Sequence, residues 1–460
     1  MKTPFRLLLM LAIAASLIWM SSCDDDDDSG PDQSVVQLAQ GNDNLSTLEA
    51  ALVKFPDLVT SLSGSGQVTV FAPTNEAFEN LLDAVGQSSL DDIPDAVLRD
   101  LLEYHVVPGA TLSNQFSNGD VTTVGVEKIT VSTVGGVTLN GSASVTTADV
   151  PASNGVVHII DEVLIPPSIQ PIVGTIVAPA YFNKNFTTLI AAVQAASPAV
   201  LTSLLGSSNK TLFAPTNDAF VAAGITTLPD QATLDAVLTY HVIDSEVTSS
   251  QIASGSSAAQ TLNGKIYLTK NSGGVFINGS SKVTTADIGA SNGVVHVIDR
   301  SLMPPSETIT QIATRLAAAN PAQFTQLVAA LVRTQGEGAN DLLAAASSTS
   351  NNLTVFAPTD AAFQELYTAL GVANVGQIPL STLIAVLKHH IVSGRVFSTD
   401  LASGSVGTLN GNVTVNLTAT PPTVAGSSGG SNVAKLQASL LNIQATNGVI
   451  HVIDKVLIPQ

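Results

Sequence analysis

Two sequence blocks occur three times in the chain, in the same order and at nearly constant spacing. The first block reads TVFAPTNEAF at 69–78, TLFAPTNDAF at 211–220 and TVFAPTDAAF at 354–363. The second reads NGVVHIIDEVLIPP at 154–167, NGVVHVIDRSLMPP at 292–305 and NGVIHVIDKVLIP at 447–459. The phenylalanines of the first block are 142 and 143 residues apart, a distance typical of a domain rather than of a solenoid repeat. The sequence therefore predicts three similar domains, each with its own core.

Together with LLEYHVV at 101–107, VLTYHVI at 237–243 and VLKHHIV at 386–392, these blocks resemble the hallmark segments of the fasciclin family, whose domain is called FAS1. The resemblance covers about residues 33–459 and implies an α+β fold of three tandem FAS1 domains. Each is expected to be a small β-sandwich or wedge with packed helices. Proline pairs end the second block in the first two copies, so the predicted domains are 33–167, 168–305 and 306–460, with short, stiff linkers.

Local patterns predict several elements of each domain. Ser46 followed by Glu49 predicts a capping box at the start of one amphipathic helix that continues to Val59. The threonine that ends the FAPT segment is placed to cap the next helix, at Thr74, Thr216 and Thr359. Asn-Gly pairs at 140–141, 263–264, 278–279 and 410–411 predict hairpin turns. The third copy is longer, and Thr418–Ser431 is predicted to be its inserted loop.

All seven histidines lie in the repeated segments. Those of the middle segment (His105, His241 and His390) follow apolar residues at helical spacing, on the core face of a helix. Those of the second block (His158, His296 and His451) lie in a strand that is apolar on both faces. We therefore expect neutral, hydrogen-bonded core histidines. No HExxH, G-x-S-x-G, phosphate-loop or dinucleotide motif occurs, so no enzyme, metal site or cofactor is predicted, although the sequence leaves a Ser-His-Asp triad open.

The family resemblance also implies candidate binding residues. In vertebrate matrix members, integrin binding has been assigned to the Tyr-His segment and to an Asp-Ile pair before the second block. The matching positions here are Tyr104-His105, Tyr240-His241, Asp149 (followed by Val150) and Asp287-Ile288, whereas the third copy has His389-His390 and Asn442-Ile443. Two interpretations compete with this one. The helical spacing predicts that the Tyr-His residues face inward, and Asp149 and Asp287 are also typical turn-forming residues.

The N-terminus has the pattern of a secretory signal peptide. Lys2 and Arg6 precede an apolar run of 13 residues from Leu7 to Trp19, too short to span a membrane comfortably. The following Met-Ser-Ser-Cys resembles the lipobox of bacterial lipoproteins, which implies removal of residues 1–22 and lipidation of Cys23. Residues 23–32 then form an acidic tether, since Asp24–Asp28 is one run of like charges. That run resembles the surface-export signal of Bacteroidota lipoproteins, so we expect an outer-membrane, lipid-anchored protein that faces the cell exterior.

Composition excludes several classes of function. The chain of 460 residues has 17 Lys+Arg against 36 Asp+Glu, a net charge of −19, which excludes a general nucleic-acid binder. One cysteine excludes a disulfide scaffold and a Cys-cluster zinc site. We expect an adhesion or interaction protein with an extracellular protein or glycan ligand, whose three copies provide multivalency. The alternative is a glycan-binding component of a surface polysaccharide-uptake system, although the mature chain lacks the Trp that sugar sites favour.

Overall fold

The computed structural model describes residues 31–426 and 432–459, which form three units of the same α+β architecture. The predicted signal peptide, Cys23 and the Asp24–Asp28 run lie outside the described residues, and the domain boundaries stay predictions. Five α-helices occur in each unit. In the first unit they are α1 Val35–Gln40, α2 Ser46–Val53, α3 Pro56–Leu62, α4 Asn75–Val85 and α5 Asp95–Tyr104. In the second they are α6 Ala178–Tyr181, α7 Thr187–Ala195, α8 Pro198–Leu205, α9 Asn217–Ala222 and α10 Gln231–Tyr240. In the third they are α11 Ile309–Ala317, α12 Thr325–Val332, α13 Leu342–Ser347, α14 Asp360–Leu370 and α15 Leu380–His389.

The strands alternate with these helices and then follow one another in hairpins. The first unit has β1 Val68–Pro73, β2 Val106–Pro108, β3 Gly119–Thr122, β4 Lys128–Ser132, β5 Thr138–Leu139, β6 Ala143–Ala152 and β7 Gly155–Ile160. The second has β8 Lys210–Pro215, β9 Val242–Ile243, β10 Gly255–Thr261, β11 Gly264–Asn271, β12 Gly274–Ile277, β13 Ser281–Ala290 and β14 Gly293–Ile298. The third has β15 Leu353–Pro358, β16 Ile391–Ser393, β17 Gly404–Gly407, β18 Asn412–Asn416, β19 Thr423–Ala425, β20 Val433–Lys435, β21 Ile443–Ala445 and β22 Gly448–Ile453.

The two sequence blocks of each unit are neighbouring parallel strands at its centre. The FAPT strand pairs with the strand that follows Asn-Gly, so that Phe71 lies opposite His158, Phe213 opposite His296, and Phe356 opposite His451. One face of this pair packs on the helices, through residues such as Ala72 and Val157. The other face packs under the hairpins, through Phe71 and Ile160. The strands are therefore covered on both faces, as their uninterrupted apolar sequence predicts.

The sheets of the three units close to different extents. The first unit has one seven-stranded sheet of order β2-β1-β7-β6-β5-β4-β3, whereas the seven strands of the second unit close into a barrel. The described strands of the third unit form two four-stranded sheets, β16-β15-β22-β21 and β17-β18-β19-β20. The predicted fold class, tandem α+β units with a β-sandwich or wedge beside packed helices, is confirmed.

Two local predictions are wrong. Ser46 is the first residue of α2, and no side chain caps that helix. The Ser46 hydroxyl instead accepts a hydrogen bond from Asn75 Nδ2, and the predicted single helix is broken before Pro56 into α2 and α3. Proline lacks the N–H and clashes with the preceding turn, so it begins a new helix there. The predicted loop Thr418–Ser431 contains strand β19, which pairs with β18 and β20; residues 427–431 lie outside the described part.

Asn-Gly pairs form turns between the predicted hairpin strands. At Asn140-Gly141 the φ angles are +51° and +82°, and at Asn278-Gly279 they are +52° and +69°, as a type I′ turn requires. The glycine of the second block has another role. A Cβ atom at Gly155 would lie 2.0 Å from the Val68 carbonyl oxygen of the neighbouring parallel strand. Only glycine therefore permits β7 to start so close to β1.

The first and second units share an apolar interface, and their buried side chains belong to one continuous cluster. Ile288 lies close to Gly86 at the end of α4: a Cβ atom added to that glycine would be 3.5 Å from Ile288 Cγ2. Polar bonds support the contact: Gln87 Nε2 donates to the Pro179 carbonyl over 3.0 Å, and Lys184 Nζ donates to the Asp91 carbonyl over 2.7 Å. In residues 31–426 and 432–459 no single helix has the length and apolar character to cross a membrane; only a pair bent by 119°, Lys184–Ala195 with Pro198–Leu205, passes that test.

Candidate functional site

The histidines of the helical segment connect the end of a helix to the segment that follows the second-block strand. His105 is 3% exposed and sits just after α5. Its Nδ1 donates to the Leu101 carbonyl over 2.7 Å, and its Nε2 accepts from the Leu164 N–H over 2.8 Å. His241 bonds Val237 and Leu302 in the same way, and His390 bonds Val386 and Leu457. Because one ring nitrogen must donate and the other accept, each ring is neutral. Burial lowers the pKa of each to about 4.

The histidines of the second block use the opposite tautomer. His158 Nε2 donates to the Thr111 carbonyl over 3.0 Å, and Nδ1 accepts from the Asp149 N–H over 3.2 Å. His296 bonds Val247 and Asp287, and His451 bonds Val396 and Asn442, through the same atoms. Burial lowers the pKa of His451. All three rings are at most 1% exposed, so they are fixed hydrogen-bond bridges between backbone segments.

Two serines bear on the open question of a Ser-His-Asp triad. Ser301 Oγ lies 3.4 Å from His241 Nε2, a nitrogen that already accepts a backbone N–H. Ser113 Oγ donates to Asp149 Oδ2, so serine, aspartate and His158 do lie together. Both nitrogens of His158 are occupied by backbone groups, however, and neither reaches a serine hydroxyl as a general base must. Within the described residues no group of three or more His, Cys, Asp or Glu side chains is arranged to hold a metal ion. His158 therefore bridges two backbone segments of its unit.

The tyrosines of the Tyr-His segment are also interior residues. Tyr104 and Tyr240 are each 1% exposed, and their hydroxyls donate to the carbonyls of Lys128 and Lys265 over 2.7 and 2.9 Å. Burial raises the pKa of both hydroxyls. In the third unit His389 occupies this place, bonds the Asn410 carbonyl through Nδ1, and leaves its buried Nε2 without a partner. The native fold therefore keeps the Tyr-His pairs out of reach of a macromolecule.

Asp149 and Asp287 sit at a β-bulge, not at a chain-reversing turn, which corrects that interpretation. Both have φ of +62°, within β6 and β13, where the strand register shifts. Asp149 Oδ1 accepts from the Ser113 N–H over 2.6 Å, and Asp287 Oδ1 accepts from the Ser249 N–H over 2.7 Å. The two side chains are 37% and 40% exposed. Ile288 is half-buried against the first unit.

The bulge carboxyls have lowered pKa values. Hydrogen bonds from the Ser113 hydroxyl and N–H lower the pKa of Asp149. Burial alone raises the pKa of Asp287, but hydrogen bonds from Ser249 and the charge of Lys270 outweigh it and lower that pKa. Among the candidate binding residues, only these carboxylates are both charged and accessible.

The three cap threonines lie at the starts of helices. The hydroxyl oxygen of Thr74 accepts from the Ala77 N–H over 3.2 Å, and Thr216 and Thr359 accept from Ala219 and Ala362 in the same way. The three threonines therefore act as N-caps, as predicted.

Sequence reasoning missed one structural residue, the asparagine of the second block. Asn154 is 5% exposed; its Oδ1 accepts from the Val35 N–H, and its Nδ2 donates to the carbonyls of Leu62 and Gly64. Asn292 and Asn447 make the same three bonds in their own units. Residues other than asparagine can precede glycine in a turn. The recurrence of asparagine before all three core strands was therefore the sequence signal that its side chain has a structural role.

An open cleft lies beside the first unit's Asn140-Gly141 turn and the segment leading into the second unit. Its volume is about 700 Å³, and Thr130, Ser142, Glu162 and Gln170 are among its lining residues. No histidine lines it. Apolar residues such as Val163 and Ile165 line it beside these polar ones.

The chain is a tandem array of units whose buried histidines and asparagines are hydrogen-bonded within their own unit and whose loops differ. It is therefore a modular, domain-repeat protein. The fasciclin domain matches at residues 43–166, 184–304 and 322–459, and the chain belongs to the fasciclin family. It is 32% identical over 431 residues to the pig transforming growth factor-beta-induced protein ig-h3, covering 92% of this chain and 57% of that protein. It is 26% identical over 438 residues to human periostin, covering 93% of this chain and 47% of that protein. The chain thus spans about half the length of these two relatives.

Shorter matches exist in bacteria and among solved structures. Protein sll1483 of Synechocystis is 44% identical over 133 residues, which is 29% of this chain and 73% of that protein. A FAS1 domain pair from the insect cell adhesion molecule fasciclin I aligns with 59% of this chain and 96% of its own, at 19% identity and a TM-score of 0.29.

Proposed function

We propose that this protein is a non-enzymatic adhesion protein that binds an extracellular protein through the surfaces of its tandem FAS1 units. The proposal rests on the observation that the polar residues of the hallmark segments are buried and used within the fold. In each unit the paired histidines and the second-block asparagine are buried and bonded to the backbone of their own unit. Surface loops and accessible carboxylates are then the groups that can bind a partner. Three linked copies raise a weak affinity per site through effective concentration.

The proposal includes an anchor and a location. A lipid on Cys23, followed by the acidic tether, holds the three units at the outer surface of a bacterial outer membrane. Membership of a family that includes ig-h3 and periostin supports an extracellular setting. Metabolic labelling of expressing cells with a fatty acid tests the anchor: label is expected on the wild type and absent from Cys23→Ser. Equal labelling of both would contradict it.

Binding is tested with beads that carry the full chain, applied to immobilised extracellular-matrix proteins and to a glycan array. We expect attachment to at least one matrix protein and no saturable glycan binding. The double variant Asp149→Asn/Asp287→Asn is expected to weaken attachment. Its control, Asp83→Asn/Asp218→Asn, removes the same charge from exposed positions on α4 and α9 and is expected to attach normally. Glycan binding without protein binding would instead favour the polysaccharide-uptake alternative.

A further inference from the structure

The loop after the Tyr-His helix is equivalent in the three units but has different surroundings. It comprises Ala110–Gln115, Glu246–Gln251 and Arg395–Asp400, and we call it the post-helix loop. Its equivalence rests on bonds that recur: the second residue of each loop accepts from the strand histidine, and the fourth donates its N–H to the bulge residue. Differences along this loop are therefore differences at matched positions.

In the third unit this loop packs on the second unit. Phe397 is 1% exposed, and its ring lies 5.8 Å from that of Tyr267 on β11. It covers the turn before β13 so closely that a Cβ atom on Gly279 would lie 2.5 Å from Phe397 Cβ. The matching residue of the first unit, Leu112, is 39% exposed. The third unit thus buries an aromatic side chain at a position where the first unit exposes an aliphatic one.

Charged residues of the same loop complete the contact. The Arg395 guanidinium lies 4.7 Å from the Tyr267 ring centre, and it is held there by the carbonyls of Ala445 and Gly448 in its own unit. Asp400 accepts from the hydroxyls of Ser256 and Thr269 in the second unit. The first two units have Ala110 or Glu246 in place of the arginine and glutamine in place of Asp400.

Asn442, which is equivalent to the bulge residues Asp149 and Asp287 and shares their positive φ, makes a bond that the other copies cannot make. Asn442 Oδ1 accepts from the Ser398 N–H over 2.7 Å, as Asp149 does from Ser113. Its Nδ2 additionally donates to the Gly279 carbonyl of the second unit over 2.7 Å. A carboxylate has no proton to donate and would repel that carbonyl. Asparagine here joins two units, whereas aspartate at the same place serves only its own.

We infer that Asn442 and the post-helix loop Arg395–Asp400 clamp the third unit on the Asn278-Gly279 turn, so that the second and third units move as one rigid body. The clamp covers the surface around Asn442 in the third unit. The equivalent surface around Asp149 in the first unit stays accessible. This inference concerns the mechanics of the array and does not depend on the proposed ligand.

Two glycines provide a matched test of the clamp. Gly279 and Gly141 occupy the same type of turn with positive φ, so alanine strains both backbones alike. Only at Gly279 does the new methyl group meet Phe397, because nothing lies within 4 Å of a Cβ at Gly141. Spin labels are placed on the full chain at Val221→Cys and Leu370→Cys, exposed positions of the second and third units, in a Cys23→Ser background.

The measured quantity is the width of the label-to-label distance distribution. We expect a narrow distribution for the parent and for Gly141→Ala, and one about twofold broader for Gly279→Ala and for Asn442→Asp, since units without a tight interface move independently. The reverse change Asp149→Asn is the control for the Asn442 variant and is expected to leave the width unchanged. Far-UV circular dichroism verifies that each variant is folded. Parent-like widths in folded Gly279→Ala and Asn442→Asp, or an already broad parent, would overturn the clamp.

Discussion

The interior of a unit is the same in the three copies, whereas the surface around the bulge position (Asp149, Asp287 or Asn442) differs between them. Inside, the bonds of the paired histidines and of the second-block asparagine recur with the same atoms in every unit. At the bulge, the same backbone position presents an accessible carboxylate in the first unit and an interdomain amide in the third. A buried hydrogen bond has no substitute when its partner is lost. A half-exposed side chain can change its partner without cost to the fold.

The largest effect is expected at the start of the core strand. Gly155→Ala should destabilise the first unit by more than about 3 kcal/mol, because its Cβ would lie 2.0 Å from the Val68 carbonyl oxygen. Gly141→Ala, with open space around it, should cost only about 1–2 kcal/mol, which is the cost of a left-handed backbone for a residue with a Cβ. Hydrogen exchange of the β1 and β7 amides measures both. Equal costs would mean that the interior tolerates change as well as the surface does.

Acid should weaken the interior next. The helical histidines have a folded pKa of about 4, below their ordinary value of 6.5, so the unfolded chain takes up protons first. Their contribution is fully present above about pH 6.5 and decreases as the pH falls towards 4. At pH 5 the loss is on the order of 2 kcal/mol for each histidine.

Denaturant unfolding of the wild type at pH 7.5 and pH 5 measures this loss. His105→Gln removes one titrating group, so the first unit of that variant should depend less on pH, while the other units serve as internal controls. Stability that stays constant from pH 7.5 to pH 5 is incompatible with neutral, buried rings.

A smaller effect is expected at the helix cap. Thr74→Ala should destabilise the first unit by about 1 kcal/mol, since the Ala77 N–H loses its acceptor. Thr74→Ser retains the hydroxyl and should recover most of the loss. If serine fails to do so, the threonine acts through its methyl group and not as a cap.

The smallest effect is expected at the bulge itself. Asp149→Asn should change the stability of the first unit by less than about 0.5 kcal/mol, because an amide oxygen can accept from Ser113 as Asn442 does from Ser398. Thermal unfolding of the variant beside the wild type measures this. A large loss of stability would mean that the bulge residue is as important for the fold as the interior residues, which would contradict the contrast between the two regions.

Much of the fold could be predicted because it rests on local patterns. The cap threonines, the type I′ turns at Asn140-Gly141 and Asn278-Gly279, and the apolar strand after each Asn-Gly were readable from short segments. The errors arose where local rules competed. Ser46 fits a capping box, but the 3₁₀ turn Asp43–Leu45 precedes it and Asn75 bonds its hydroxyl, and Pro56 divides the helix.

The candidate site was predicted less well, because its chemistry depends on partners far away in sequence. Helical spacing indicates that His105 faces inward, but not that its acceptor nitrogen receives the N–H of Leu164, 59 residues away. Asp149 was interpreted as a turn residue because its bulge depends on β7, with which the sequence alone does not pair it.

The sequence by itself determined the number of units, their family and which apolar residues face each core, since these follow from repeats and local periodicity. Tertiary structure alone decided how the units meet. No sequence pattern predicts that Phe397, Arg395 and Asn442 lie against Tyr267 and Gly279. The physical reason is that a contact between units depends on surface shape and on partners more than a hundred residues away, which leaves no periodicity in the chain.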